Sequence, residues 1–262
     1  MPDPFEKRIR RAEALEKEWP FAADLLRFYR GLIACQRRIF EHPPEAFPDG
    51  EEFTQGFMSD LAALIDCLAA DGPKMLADEA RHWKPDVAKK WWTEHGRPHQ
   101  PLNFCTECPS PLYHFLMSVF NQTHSLHRRL NSKKDATYRE PANTCPFCEQ
   151  PPGVSVLRED KSAETTRRSL VCSHCSLEWD FARVLCPNCN EEKPEKLPRY
   201  TAQEIPWMRV EGCDSCGKYL KSVDLTLNWE AEPVVDELAS TPLDVIAREH
   251  GYTKITPNLA GI

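Results

Sequence analysis

The sequence has no apolar run approaching the roughly 18 uninterrupted residues that a membrane span needs. Its start, Met1-Pro2-Asp3-Pro4-Phe5-Glu6-Lys7, lacks the apolar centre of an export signal, so a cytoplasmic protein without membrane attachment is expected. Catalytic signatures are missing as well: there is no Gly-x-Ser-x-Gly elbow, no His-Glu-x-x-His and no Gly-x-Gly-x-x-Gly. Gly212-x4-Gly217-Lys218 copies much of a phosphate-binding loop but places Tyr219 where a Ser or Thr would hold Mg²⁺. A non-enzymatic protein is the expectation. Positive charge is also in short supply. The net charge is −7, and residues 141–220 carry 10 Lys+Arg against 12 Asp+Glu. A phosphate backbone would meet a neutral to acidic surface there, which argues against a nucleic-acid partner and against a nucleic-acid-binding zinc ribbon.

Cysteine, by contrast, is abundant, with 12 in 262 residues. A reducing compartment disfavours disulfides and leaves metal binding or redox chemistry as the main reasons to keep so many thiols. Eight of them form four Cys-x-x-Cys pairs: Cys145/Cys148, Cys172/Cys175, Cys186/Cys189 and Cys213/Cys216. Every cysteine of the first two pairs recurs 41 residues later, so each half reads Cys-x2-Cys-x23-Cys-x2-Cys, a tandem duplication of one small module. Two intervening residues let both thiolates of a pair point into one turn, and two such turns close a tetrahedron. The repeat argues for sequential use: one ion held by Cys145, Cys148, Cys172 and Cys175, another by Cys186, Cys189, Cys213 and Cys216. Interleaving the pairs would destroy the modular symmetry. Thioredoxin-like dithiols would need a βαβ pattern that is absent around every pair. Sulfur-only coordination suits zinc and mononuclear iron alike, so spacing leaves the element open. With all four positions taken by thiolate there is no place for an activated water, and a structural or electron-storing role remains.

The expected fold class is α+β. Apolar residues at Phe5, Ile9, Ala12, Leu15 and Trp19, then at Leu25, Leu26, Tyr29, Leu32, Ile33 and Ile39, have helical spacing, as do Leu61, Leu64, Ile65 and Leu68. Leu112 to Leu130 is a further helix, giving an all-helical N-terminal domain over 1–140. Tandem four-cysteine modules with short strands are expected over 141–232, divided at about 145–185 and 186–227. The strand-like runs are Val154–Leu157, Leu177–Val184 and Tyr219–Leu227. A helical tail over 233–262, packing on the modules or on the helical domain, should comprise Val234–Ala239 and Pro242–His250. The second of these should open with Thr241 and Asp244 in a capping box and close at Gly251. Cys35 and Cys67 lie mid-helix among apolar neighbours and read as small buried hydrophobes. Cys105 and Cys108 form a fifth pair with no second pair nearby. Trp83, Trp91, Trp92, His95 and His99 read as packing.

The cysteine-rich half resembles a known family. Cys145-Pro-Phe-Cys148 followed by Pro151-Pro-Gly-Val-Ser-Val156, then Cys172-Ser-His-Cys175-Ser-Leu-Glu178-Trp179, Arg183 and Cys186-x-x-Cys189, is similar to the formate dehydrogenase accessory proteins, FdhE. Cys213-Asp-Ser-Cys216-Gly-Lys-Tyr219-Leu-Lys221, Asp224, Pro233-Val-Val-Asp236, Leu243-Asp244, Gly251-Tyr252 and Asn258-Leu259 follow in that family's order. Glu149 stands where the family pattern would have glycine. The resemblance implies a cytoplasmic maturation factor that binds the catalytic subunit of respiratory formate dehydrogenase. It also implies two rubredoxin-like centres, with iron favoured over zinc, held by the eight cysteines above. Whether the chain forms a homodimer is left open, and a redox-active iron protein that donates electrons in cofactor maturation is the alternative.

Overall fold

The computed structural model of the protein describes residues 3–41, 55–83, 111–132, 142–160, 165–259 and 261. Its N-terminal region is helical. The helix α1 (Glu6–Glu18) buries Ala12 and Leu15 together with flanking Phe5 and Trp19, so the apolar spacing in the sequence is its inward face. Pro20 starts a short 3-10 turn (Pro20–Ala22) that reorients the chain into α2 (Ala23–Glu41). Helix α3 (Gln55–Asp71) stops ahead of Pro73, which begins α4 (Lys74–Ala80), a helix for which the sequence reading had no expectation. Helix α5 spans Pro111–Asn131. The α2 helix packs against α1, α3 and α5, and α4 bridges α3 and α5.

The C-terminal half is a seven-stranded sheet: β1 (Pro152–Asp160), β2 (Thr165–Cys172), β3 (Glu178–Phe181), β4 (Arg199–Thr201), β5 (Met208–Cys213), β6 (Lys218–Asp224) and β7 (Thr253–Lys254). Its order is β3-β2-β1-β6-β5-β4, with β7 added to β6. The 41-residue offset carries β2 onto β5, β3 onto β6 and the end of β1 onto β4. Each module therefore lays down the same antiparallel trio, and the two trios join through a parallel pairing in which Ser155, Val156 and Leu157 meet Ser222, Val223 and Asp224. Strands β2 and β5 did not stand out in the sequence because their polar residues, such as Thr165-Thr-Arg-Arg168 and Arg209 with Glu211, interrupt the apolar alternation.

Alternation within the strands separates two apolar clusters. Val171, Tyr219 and Val223 face the main core, which is continuous with Leu26, Leu32, Ile33 and Phe120 of the helical layer. Leu170 and Leu220 face a second cluster containing Cys145, Cys172 and Cys175. Beyond the sheet, α6 (Pro233–Ala239) packs on β1, β6 and α1, while α7 (Thr241–Glu249) packs on β4 and β5.

Buried charges lock these layers. Arg11 of α1 donates to both carboxylate oxygens of Asp236 in α6, at 2.9 and 2.7 Å, and the Trp207 indole donates to the same carboxylate at 2.9 Å. Lys221, fully buried, donates to Asp244 at 2.6 Å and pairs with Glu237 at 3.1 Å, and Lys254 joins the same two acids. This network explains why the expected capping box is not formed. Asp244 is drawn to Lys221, Lys254 and the Tyr219 hydroxyl, and α7 begins at Ser240 with no side-chain cap. Gly251 does adopt the left-handed conformation expected of it, at φ 83°.

Candidate metal centres

Each Cys-x-x-Cys is a tight turn with the same backbone signature. The residue immediately after the second cysteine has positive φ in all four: Glu149 (63°), Ser176 (54°), Asn190 (62°) and Gly217 (65°). Among the described residues the first three are the only non-glycines in that region of backbone space. Left-handed backbone costs an L-residue roughly 1–2 kcal/mol, so its recurrence at four equivalent places marks a geometry imposed by the turn. Glu149, Asn190 and Gly217 each close theirs by donating from the backbone N–H to the carbonyl of Cys145, Cys186 and Cys213, at 2.8, 3.0 and 2.8 Å. Backbone N–H groups also aim at sulfur. Those of His174 and Cys175 approach Cys172 Sγ at 3.3 and 3.4 Å, and that of Asn188 approaches Cys186 Sγ at 3.4 Å. Such donors stabilise negative sulfur.

The strands then bring the turns together in pairs. The end of β2 carries Cys172 and Cys175 to Cys145 and Cys148, and the β5–β6 turn carries Cys213 and Cys216 to Cys186 and Cys189. The four sulfurs of each group lie within 4.8 Å of one another. In the first group Cys145–Cys175, Cys148–Cys172 and Cys148–Cys175 are separated by 3.5, 3.4 and 3.6 Å. In the second, Cys186–Cys216 and Cys189–Cys213 stand at 3.8 and 3.6 Å. A sulfur-only tetrahedron with metal–sulfur bonds of ~2.3 Å has edges of ~3.8 Å, so both groups could take an ion with shifts of no more than about 1 Å. The grouping is the sequential one read from the repeat, and none of the eight is in a disulfide.

Protonation follows from this crowding. Hydrogen bonds from Cys148, Cys172 and Cys175 hold the Cys145 thiol far below its ordinary range, and the reciprocal contacts push Cys172 far above its own. Burial pushes Cys186 up in the second group. An ion bound by these groups would take all four cysteines as thiolates. Burial lowers His174, between Cys172 and Cys175, to about 4, which keeps its ring neutral.

The surroundings of the two groups differ. The first lies in an apolar cluster with Leu170, Trp179, Phe181 and Leu220, and Arg129 of α5 donates to the Cys175 carbonyl at 2.6 Å. The second leaves Cys189 exposed and has polar neighbours, the Ser215 hydroxyl donating to Glu191, which also pairs with Lys196. Gly212, just before Cys213, packs so closely on the Tyr252 ring that an added Cβ would stand 3.0 Å from it.

Sequence reasoning missed the side chain that ties the groups to each other. Arg168 on β2 is buried and donates to Ser155 Oγ at 3.0 Å, to the carbonyls of Ala182 and Leu185 at 2.9 Å each, and to Glu211 of β5 at 2.6 Å. It thereby fixes the segment leading into Cys186. Only its place in the strand-like gap between two knuckles could have drawn attention to it.

Cys35 and Cys67 face each other between α2 and α3, half-buried rather than buried, and their thiols hydrogen-bond. That contact, together with the nearby Arg38 charge, lowers Cys35 to about 7. Trp83 is partly buried against the main core, as packing requires. Cys105, Cys108, Trp91, Trp92, His95 and His99 lie outside the described residues.

Comparison with known proteins agrees with this architecture. The domain described as "FdhE, central domain" matches residues 144–183, and "FdhE, C-terminal domain" matches 184–260. A protein FdhE homolog of Pseudomonas putida is 34% identical over 97% of this chain and 86% of its own length. The homolog of Pseudomonas aeruginosa is 28% identical over 98% and 89%. That of Aquifex aeolicus is 32% identical over 45% of this chain and 42% of its own length. The crystal structure of the FdhE protein from Pseudomonas aeruginosa superposes with a TM-score of 0.69 at 24% identity, covering 98% of this chain and 95% of that one, which shows a shared fold.

Proposed function

The chain belongs to the FdhE family, and from that premise we propose that it is a maturation factor for respiratory formate dehydrogenase, binding the enzyme's catalytic subunit in the cytoplasm. The observation that carries this reading is the pair of closed four-thiol cages set into one continuous sheet. Two divalent ions held by Cys145, Cys148, Cys172 and Cys175 and by Cys186, Cys189, Cys213 and Cys216 would stiffen the face that α6 and α7 back from behind. Iron is favoured from the family resemblance, and zinc fits the same donors. Closed thiolate coordination has no position for substrate, which supports a scaffold rather than an enzyme. Nucleic acid is not part of this reading, since the cysteine-rich segment is not basic.

Co-purification of the catalytic subunit with anaerobically prepared protein tests the proposal. Wild type should capture the subunit, and Cys186→Ala, which opens one cage, should lose one ion and weaken capture. Retention of both ions and of capture in that variant would contradict it.

One feature favours a second reading. Cys189 puts a ligand sulfur at the surface, where an electron could reach an iron centre without any substrate entering the coordination sphere. A reversible visible chromophore would support electron donation during cofactor maturation, whereas colourless protein with stoichiometric zinc would reject it.

A further inference from the structure

We propose that the concavity between the β1–β2 hairpin, the start of α1 and the β6–α6 loop docks an extended acidic segment of a partner protein, anchored by Leu227 and Trp229. The inference rests on the reading of this chain as a subunit-binding factor and says where that binding occurs.

Its first support is exposed apolar area. Trp229, which lines the concavity, is 79% exposed, and Leu227, two residues earlier on the same loop, is 65% exposed. Single exposed hydrophobics are ordinary, but two large ones presented on one short loop beside an opening are a feature of interaction sites.

The second support is rigidity. The loop presenting Leu227 and Trp229 is pinned at almost every step. Leu225 N–H donates to the Leu157 carbonyl at 3.0 Å, and the N–H groups of Leu227 and Asn228 both donate to the Asp224 carbonyl at 3.2 Å. Thr226 donates to the Asp224 carboxylate from its N–H at 3.0 Å and from its hydroxyl at 2.6 Å, and Glu230 N–H donates to Asn228 Oδ1 at 3.1 Å. Lys7 of α1 closes the loop by donating to the Ala231 carbonyl at 3.2 Å. Anchors held in this way lose little conformational freedom on binding.

Charge identifies the occupant. Among the described residues the concavity, about 900 Å³, is lined by Lys7, Arg158 and Arg183 against one acid, Glu159. Arg158 is engaged by Glu178, at 2.9 and 2.8 Å. Among the described residues Lys7 donates to a carbonyl and Arg183 to the Thr165 hydroxyl, and neither is paired with a carboxylate. On a chain of net charge −7 this is a local reversal, and it complements carboxylates. An extended segment with acidic residues beside one large apolar side chain satisfies both features at once.

The test uses the full chain with both ions bound and two probes: the formate dehydrogenase catalytic subunit, and a labelled peptide Glu-Asp-Leu-Glu-Asp-Phe. Leu227→Ala combined with Trp229→Ala should weaken binding of each probe by at least about tenfold. Lys7→Glu with Arg183→Glu should also weaken it and abolish its dependence on salt, while Val245→Ala, an exposed apolar residue on α7, should change nothing. Undiminished capture of the subunit by the loop and charge variants would overturn the surface and leave the maturation role standing. Peptide binding that depends on Trp229, with no capture of the subunit by wild type, would overturn the maturation role and support the surface. Absence of both would overturn both.

Discussion

The two four-cysteine groups have identical spacing and nearly identical turns, yet the first is enclosed in an apolar cluster and the second opens to the surface at Cys189. Cys145, Cys172 and Cys175 are buried with Trp179, Phe181 and Leu220, so the first group sits where a small domain would keep its hydrophobic side chains. In the second, Cys186 and Cys213 are buried, but Cys189 is exposed, Cys216 is half-buried, and the Ser215–Glu191 hydrogen bond stands at the exposed side. Duplication copied the ligands, and the surroundings then diverged. The difference teaches that Cys-x-x-Cys spacing specifies a cage, while packing around it specifies how much of the fold depends on that cage and how readily solvent reaches it.

The comparison breaks first at the ligands themselves. Cys175→Ser should cost one ion and the cooperative unfolding of the sheet, since structural four-ligand sites contribute on the order of 10 kcal/mol to small domains. Cys189→Ser should cost one ion but leave a cooperative transition from the helical layer and first module, as read by elemental analysis and thermal circular dichroism. Equal losses in the two variants would erase the distinction. Arg168→Ala comes next. It removes one of the two arginines that hold Glu211, which keeps Arg209 at 2.6 Å, and it leaves the carbonyls of Ala182 and Leu185 without their donor, so about 1–3 kcal/mol should disappear in denaturant titrations of the holo protein.

Chelation sharpens the contrast at a smaller scale. The second ion should leave at least about tenfold faster than the first, because water and protons reach Cys189 directly. Cysteine ligands bind as thiolates, so falling pH favours their protonated form and metal loss. Release should therefore accelerate on acidification, with the second centre ahead throughout. The smallest effects belong to the turns. Glu149→Gly removes a side chain from left-handed backbone and should stabilise by up to about 1 kcal/mol, whereas Gly217→Ala should destabilise by about as much.

The two four-cysteine groups were legible in the sequence because a thiol cage needs fixed spacing, and the 41-residue echo allowed their membership to be read as well. Helices α1, α2, α3 and α5 were legible because each has an apolar face with helical period. Other features depend on residues far apart in sequence. Strand β2 gets its place from pairing with β1 and β3, not from its own Thr-Thr-Arg-Arg start. Asp244 looks like a capping residue until Lys221 and Lys254 arrive from the sheet to claim it. Arg168 looks like a surface arginine until Glu211, 43 residues later, meets it across the module boundary. Glu149 carries a related lesson. The turn has left-handed backbone with glutamate where glycine was expected, so a departure from an expected residue need not be a departure in geometry.

Native mass spectrometry of anaerobically purified protein, with elemental analysis of the same sample, tests the central claim most directly. The account predicts two ions per chain, eight cysteines free of disulfide, and stepwise loss in which Cys189→Ser removes one ion and leaves the other. A chain that carries no ion, or one whose paired cysteines are oxidised to disulfides, would contradict it.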